Sequence, residues 1–438
     1  MEKLKISKEK LIKIKDIVIF ILLFIWMIMP ILQSIKVINE VIVAKNLYFI
    51  LMRTIAVLGI GTTIFTIYDK FQKSNNKKEI FKELLPIFLF VIYMIWTLIS
   101  CHQAARKNRA FNGTPYRKEG YFMYINYAGF FFCAMLLENK KLRNILLNAF
   151  IITSIFLISI NRFIGKSITN VFANTNHYGY YLTMSLICSL GLFLTEKNKI
   201  LKVIYLAVYT VIGYGLIDNN TFGCYLAVIA ILVLYAIYAI IKKTDRKLIF
   251  IAITIFILLS GVTLKNGKNI AYQNIKQLGQ DIQIIISKIM NIETQSIDGE
   301  EVQVDEKFEK TGSSRMALWT NGIKFILEKP IIGYGPENLR DKYLFWGINI
   351  DRPHNLLIYL GCVSGIPGML IYVAAVGIIV IRGIKKLLAN NQSTKIFLLI
   401  VITYLISSMF GNSMYYTSPY FFIFLGSLMH FNLNKQEE

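Results

Sequence analysis

Charge is scarce in these 438 residues: Asp, Glu, Lys and Arg together make up 17%, against about 25% in an ordinary soluble domain. Proline (eight) and histidine (four) are sparse as well. The five cysteines, Cys101, Cys133, Cys188, Cys224 and Cys362, are odd in number, lack C-x-x-C spacing and sit in or at the ends of apolar runs. This argues against a disulfide scaffold or a thiolate metal site and leaves them as small apolar fillers. No internal repeat is visible, and no matched pair of Gly/Pro-broken helices marks a transporter-type midplane site.

What is abundant is apolar. Hydrophobic residues reach 55% and mean hydropathy is +0.52. That excludes a soluble enzyme, a coiled coil and a disordered tail protein. Twelve apolar runs lie near 17–33, 47–67, 84–101, 121–137, 144–160, 178–195, 200–217, 222–241, 248–264, 355–381, 396–410 and 418–432. Runs of roughly 20 residues suit bilayer-spanning helices. The sequence therefore predicts an all-α, polytopic membrane protein of about twelve spans. The first run follows six lysines, but it is too long for a signal-peptide core and no small-x-small cleavage site follows it. It reads as an uncleaved anchor.

The net charge of +22 is mainly a topology signal. With the N-terminus placed in the cytoplasm, the inner segments hold 26 Lys and Arg and the short outer loops nine. Both termini are then expected in the cytoplasm of a cell-membrane protein. The long segment 265–353 falls outside and is neutral, with twelve basic and twelve acidic residues, so no nucleic-acid partner is expected. Residues 1–264 carry spans one to nine, 265–353 form the extracytoplasmic loop, and 354–438 carry the last three spans.

That loop carries the chemistry. Asn269–Met290 has apolar residues at spacings that suit an amphipathic helix. Asn291–Lys310 is acidic and apolar-poor, and reads as a solvated excursion. Thr311-Gly312-Ser313-Ser314 offers N-cap chemistry for a helix from about Ser314 to Glu328, which Lys329-Pro330 stops. A glycine-punctuated turn follows, and Asp351-Arg352-Pro353-His354-Asn355 stands at the mouth of span ten. Charged groups at a membrane entry are costly unless they face protein or water.

Four ordered stretches resemble the signature of the O-antigen ligase and polymerase family of membrane glycan transferases. They are Arg315-x-x-x-Trp319, Lys329-Pro330-Ile331-Ile332-Gly333-Tyr334-Gly335, His354-Asn355-Leu356-Leu357-Ile358-Tyr359-Leu360 and Gly365-Ile366-Pro367-Gly368. Looser similarity covers Gly113–Gly120 leading to Tyr127, and Phe172–His177. The resemblance implies a GT-C-like fold and inverting, metal-independent glycosyl transfer on the outer membrane face, with no cofactor. The implied donor is a polyprenyl-diphosphate-linked glycan and the acceptor another glycan. The lipid bilayer and other polysaccharide-assembly proteins complete the expected partners. Many members carry an Arg near the outer start of span eight; here Thr221-Phe222-Gly223 has none.

The residues agree with that chemistry. The outer compartment lacks nucleotide sugars, so a transferase there needs a lipid-borne donor. No D-x-D occurs on the outer face, which leaves Arg and Lys to neutralise a departing diphosphate. Arg315, in the first turn of a helix, adds a cation to exposed backbone N–H groups. His354 has an ordinary pKa suited to a general base. Arg315 and His354 are thus the catalytic candidates. Arg352, Arg117, Glu119, Glu337, Arg162, Gly333, Gly335, Asn355 and His177 are the candidate substrate-binding residues. Blander readings stand beside some of them: Gly333 and Gly335 as turn formers, Arg117 and Glu119 as a mutual ion pair, His177 as a helix cap, and Arg162 as a boundary charge. The expected activity is polymerisation of repeat units. The rivals are ligase-type transfer of a finished glycan and, in other classes, a lipid-linked-glycan flippase or a non-catalytic assembly protein.

Overall fold

A computed structural model describes residues 8–34, 41–164, 169–172, 174–265, 267–276, 315–345, 350–389 and 391–433. The acidic excursion, the 311–314 cap and most of the amphipathic-helix segment lie outside the described residues. Within them the chain is almost wholly helical, and a helix overlies each of the twelve apolar runs. Among the described residues one two-residue antiparallel pairing, Leu264–Lys265 with Lys268–Asn269, follows the helix Arg246–Val262.

Among the described residues, eight helices are long and apolar enough to cross a membrane. The helices Tyr121–Leu136, Arg246–Val262, Lys395–Ser408 and Ser418–Leu433 have 16, 17, 14 and 16 residues. At 1.5 Å per residue each falls short of the roughly 30 Å hydrocarbon core. Thr175–Thr195 is the central helix, with 94% of its apolar window buried inside the protein. The peripheral helices instead expose large apolar side chains such as Val57, Ile241 and Ile257. A surface this apolar belongs against lipid, because soluble proteins rarely expose such contiguous patches. The chain is a polytopic helical membrane protein.

Contacts sort the helix ends into two faces. At one face Lys15 meets Glu138, Lys70 meets Glu83 and Lys395 meets Asp245, each at 2.6 Å. Arg143 lies 2.7 Å from His430 there, and Lys242 donates to Leu388 O. This is the lysine-rich face. The opposite face gathers residues 104–120, 218–222, 330–345, 350–355 and 410–418.

The helix Leu356–Leu388 is broken, where the sequence predicted one continuous run. Gly365 has φ 69° and ψ 177°, a region that L-residues rarely enter. Pro367 has no N–H to return to Val363. The freed groups pair with the glycine-rich turn instead. Ile366 N–H donates to Pro330 O (2.7 Å), while Cys362 O and Val363 O accept from Tyr334 N–H (2.8 Å) and Gly335 N–H (2.9 Å). Trp96 Nε1 donates to Ser364 O (2.9 Å) and Ser100 Oγ to Ile332 O (2.6 Å). The turn is thereby docked backbone to backbone. A Cβ at Gly365 would stand 2.1 Å from Ile331 O. Gly365→Ala is expected to lower stability by about 1–3 kcal/mol from backbone strain alone, read as a fall in unfolding temperature in detergent. Gly377→Ala, where an added Cβ meets open space, should not show it.

Candidate active site

Segments far apart in the chain converge at the face opposite the lysines. The docked turn carries Glu337, the short segment before the broken helix carries Asp351, Arg352 and His354, and the loop after the third span carries Arg117 and Glu119. The bend between the last two helices supplies Ser413. Glu337 (φ 59°), His354 (φ 52°) and Lys118 (φ 56°) are non-glycine residues at positive φ. Such strain persists only where the surroundings over-determine it, commonly at functional sites.

Two ion pairs organise the cluster. Arg352 Nη2 donates to Glu337 Oε1; the side chains are 1% and 2% exposed. Arg352 Nη1 also donates to Ser413 O at 3.2 Å, and its guanidinium lies 4.7 Å from the Tyr359 ring centroid. Arg117 grips Asp351 with both Nε and Nη2, the latter at 2.8 Å. The expected Arg117–Glu119 pair is therefore not the one formed. Glu119 is fully buried, accepting from Tyr127 Oη and from Ser413 Oγ (3.2 Å). Burial pushes its carboxyl above the usual range, against the opposing pull of Arg352, those two donors and Arg117.

His354 is half-buried, and its pKa is lowered to about 4. Burial is the main cause, followed by the positive charges of Arg117 and Arg315; Asp351 opposes them and Arg352 adds to them. The imidazole is neutral at pH 7 and keeps a lone pair for a proton. Arg315 opens the helix Arg315–Glu328, and its guanidinium lies 6.0 Å from the Phe222 ring and 5.9 Å from the Phe410 ring. It thus stands beside the Thr221-Phe222-Gly223 stretch that lacks an arginine of its own. His177 is buried and feels Arg117, Arg352 and His354. Its Nδ1 has no hydrogen-bond partner among the described residues.

The structure thus gathers Arg117, Glu119, His177, Arg315, Glu337, Arg352 and His354. The other candidates sit differently. Asn355 caps the broken helix, accepting from Ile358 N–H at 3.1 Å. Gly333 and Gly335 are buried turn positions, the first facing the helix break and the second packed on Ser100 and Ala104. Arg162 is exposed at the end of the helix Lys140–Ile164, with no hydrogen bond or ion pair among the described residues. Sequence reasoning missed Ser413, which ties Glu119 to Arg352. The signal was the polar break Gly411-Asn412-Ser413 between the last two apolar runs.

Two cavities flank the ion pairs. An apolar one of about 60 Å³ is lined by Tyr124, Tyr127, Tyr359 and Tyr404 among others, and reaches Ser413. A polar one of about 330 Å³ is lined by Arg109, Thr114, Pro115, Tyr116, Arg117, Glu337, Arg340, Ile350 and Asp351.

Residues 206–373 match a family model described as O-antigen ligase. The match spans the stretch from the seventh apolar run to the broken helix, and includes Arg315, Glu337, Arg352 and His354. No curated protein matches the chain.

Proposed function

We propose that the chain, whose residues 206–373 match the O-antigen ligase family model, is a membrane glycosyltransferase. In this reading it joins polyprenyl-diphosphate-linked repeat units into a cell-surface polysaccharide. The observation that carries the reading is the cluster in which Arg117 holds Asp351 and Arg352 holds Glu337 within three residues of His354, with Arg117, Arg315 and Arg352 all adding to burial in lowering the pKa of its ring. Three guanidiniums around a neutral imidazole suit a reaction in which an anionic group departs while a hydroxyl loses its proton.

His354 takes the proton from an acceptor sugar hydroxyl. The oxygen attacks the anomeric carbon from the side opposite the diphosphate, the new C–O bond forms, and the bond to the diphosphate oxygen breaks. Polyprenyl diphosphate leaves with the electron pair, its charge held by Arg315 together with Arg352 or Arg117. The anomeric centre inverts, and no metal takes part. The bias of 26 inner against nine outer basic residues supports twelve spans with both termini in the cytoplasm and the site outside, where a lipid-borne donor is the available one.

The family description itself favours a second reading, single transfer of a finished glycan to another acceptor. Product analysis separates the two. Purified protein in liposomes, given only lipid-linked repeat units, should yield a ladder of glycan lengths if it polymerises. Product only when a separate acceptor is added, with one glycan attached per acceptor, would make it a ligase. No glycosidic product under either condition would overturn the transfer reading.

A further inference from the structure

We propose that the 330 Å³ cavity beside Arg117 is a glycan subsite that takes an acidic, carboxylate-bearing sugar. The inference rests on the glycan-transfer reading and adds to it the substrate's charge. Its first support is the order of environments. The Arg352–Glu337 pair stands between two cavities: Arg352 lies over Tyr359, which lines the apolar one, and Glu337 lines the polar one. A lipid-linked glycan has the same sequence of parts, apolar tail, diphosphate, then sugars. The polar cavity is therefore where the sugars fall, and its volume lies within the roughly 300–1,000 Å³ of small-ligand sites.

The second support is an account of the charges. Three arginines line the cavity: Arg109, Arg117 and Arg340. Among the described residues, the carboxylates that line the cavity, and the one beside Arg340, are already engaged. Asp351 is held by Arg117 and Glu337 by Arg352, while Asp341, next to Arg340, pairs with Arg106 at 2.8 Å. Among the described residues Arg109 and Arg340 have no ion-pair partner, so two of the arginines lining the cavity lack a counter-charge there. Tyr116, 58% exposed, adds a flat apolar face of the kind a sugar ring lies on. A neutral sugar would leave those two cations unanswered, whereas a uronate answers them with charge-assisted, two-pronged hydrogen bonds.

The test is direct binding, which needs no turnover. The full-length protein in detergent is titrated calorimetrically with uronic-acid tetrasaccharides and with their carboxyl-reduced, neutral counterparts. The acidic forms should bind about tenfold tighter or better. An Arg109→Gln/Arg340→Gln variant with an unchanged unfolding temperature should lose that preference. Equal binding of the two forms by the wild type, binding of neither, or a preference that survives the double variant overturns the subsite. Inorganic phosphate competing as well as the uronate would also overturn it, by assigning the two arginines to the donor's phosphates. Transfer is scored separately in liposomes. A protein that prefers uronates but forms no glycosidic bond keeps the subsite and loses the transferase reading; one that forms bonds without the preference does the reverse.

Discussion

His354→Ala is expected to slow glycan transfer by about 10²–10⁴-fold, the range for losing a positioned general base, with the unfolding temperature near that of the wild type. The ring is half-buried at the start of a helix that Asn355 caps independently, so the fold does not depend on it. The pH dependence carries a sharper signature. In the free protein the lowered pKa of about 4 keeps the base deprotonated at all higher pH. The acid limb of kcat/KM should therefore lie near that value. Two of the first three causes of the lowering are the charges of Arg117 and Arg315, and Arg352 adds to them. A bound diphosphate brings negative charge to those same guanidiniums and relieves the repulsion. The His354 pKa must then rise in the complex, so the acid limb of kcat should sit above that of kcat/KM. Coincident limbs would mean that donor and imidazole do not share the cationic cluster.

Arg352→Ala is expected to destabilise the fold by about 3–5 kcal/mol, the cost of removing one partner from a buried pair. Arg352 is almost wholly enclosed and serves three groups at once: Glu337, Ser413 O and the face of Tyr359. Its loss leaves the buried Glu337 carboxylate without its partner and also removes the main cation opposing the burial of Glu119. Arg352→Lys keeps the charge but not the planar fork, so an intermediate loss should follow. Thermal unfolding in detergent measures both. An Arg352→Ala protein that unfolds at the wild-type temperature would show the pair to be idle.

Much of the fold was legible because membrane helices are specified locally. A helix overlies each of the twelve apolar runs, since a backbone in lipid must satisfy its own hydrogen bonds, although among the described residues eight are long and apolar enough to cross. The break at Gly365 was not anticipated, although Gly365 and Pro367 were both in view. What makes the break stable is a set of partners about 30 residues upstream, Pro330, Tyr334 and Gly335, and local pattern carries no such pairing. The site divides in the same way. Arg315 and His354 stood out by motif and residue type. The choice of Asp351 rather than Glu119 as the partner of Arg117 spans 234 positions, and the role of Ser413 emerges only when the last bend folds over the first loop. Arg162 satisfied the charge and topology criteria, yet it sits exposed at a helix end.

The central claim is that guanidiniums and one imidazole suffice to move a glycan from a lipid diphosphate. It is tested most directly by measuring glycosidic bonds formed and polyprenyl diphosphate released in liposomes containing a metal chelator. One diphosphate released per bond is expected from the wild type in chelator, and both products at least about 100-fold more slowly from Arg315→Ala or His354→Ala proteins that unfold at the wild-type temperature. Transfer that stops with chelator, or that continues at the wild-type rate in both variants, would contradict the account.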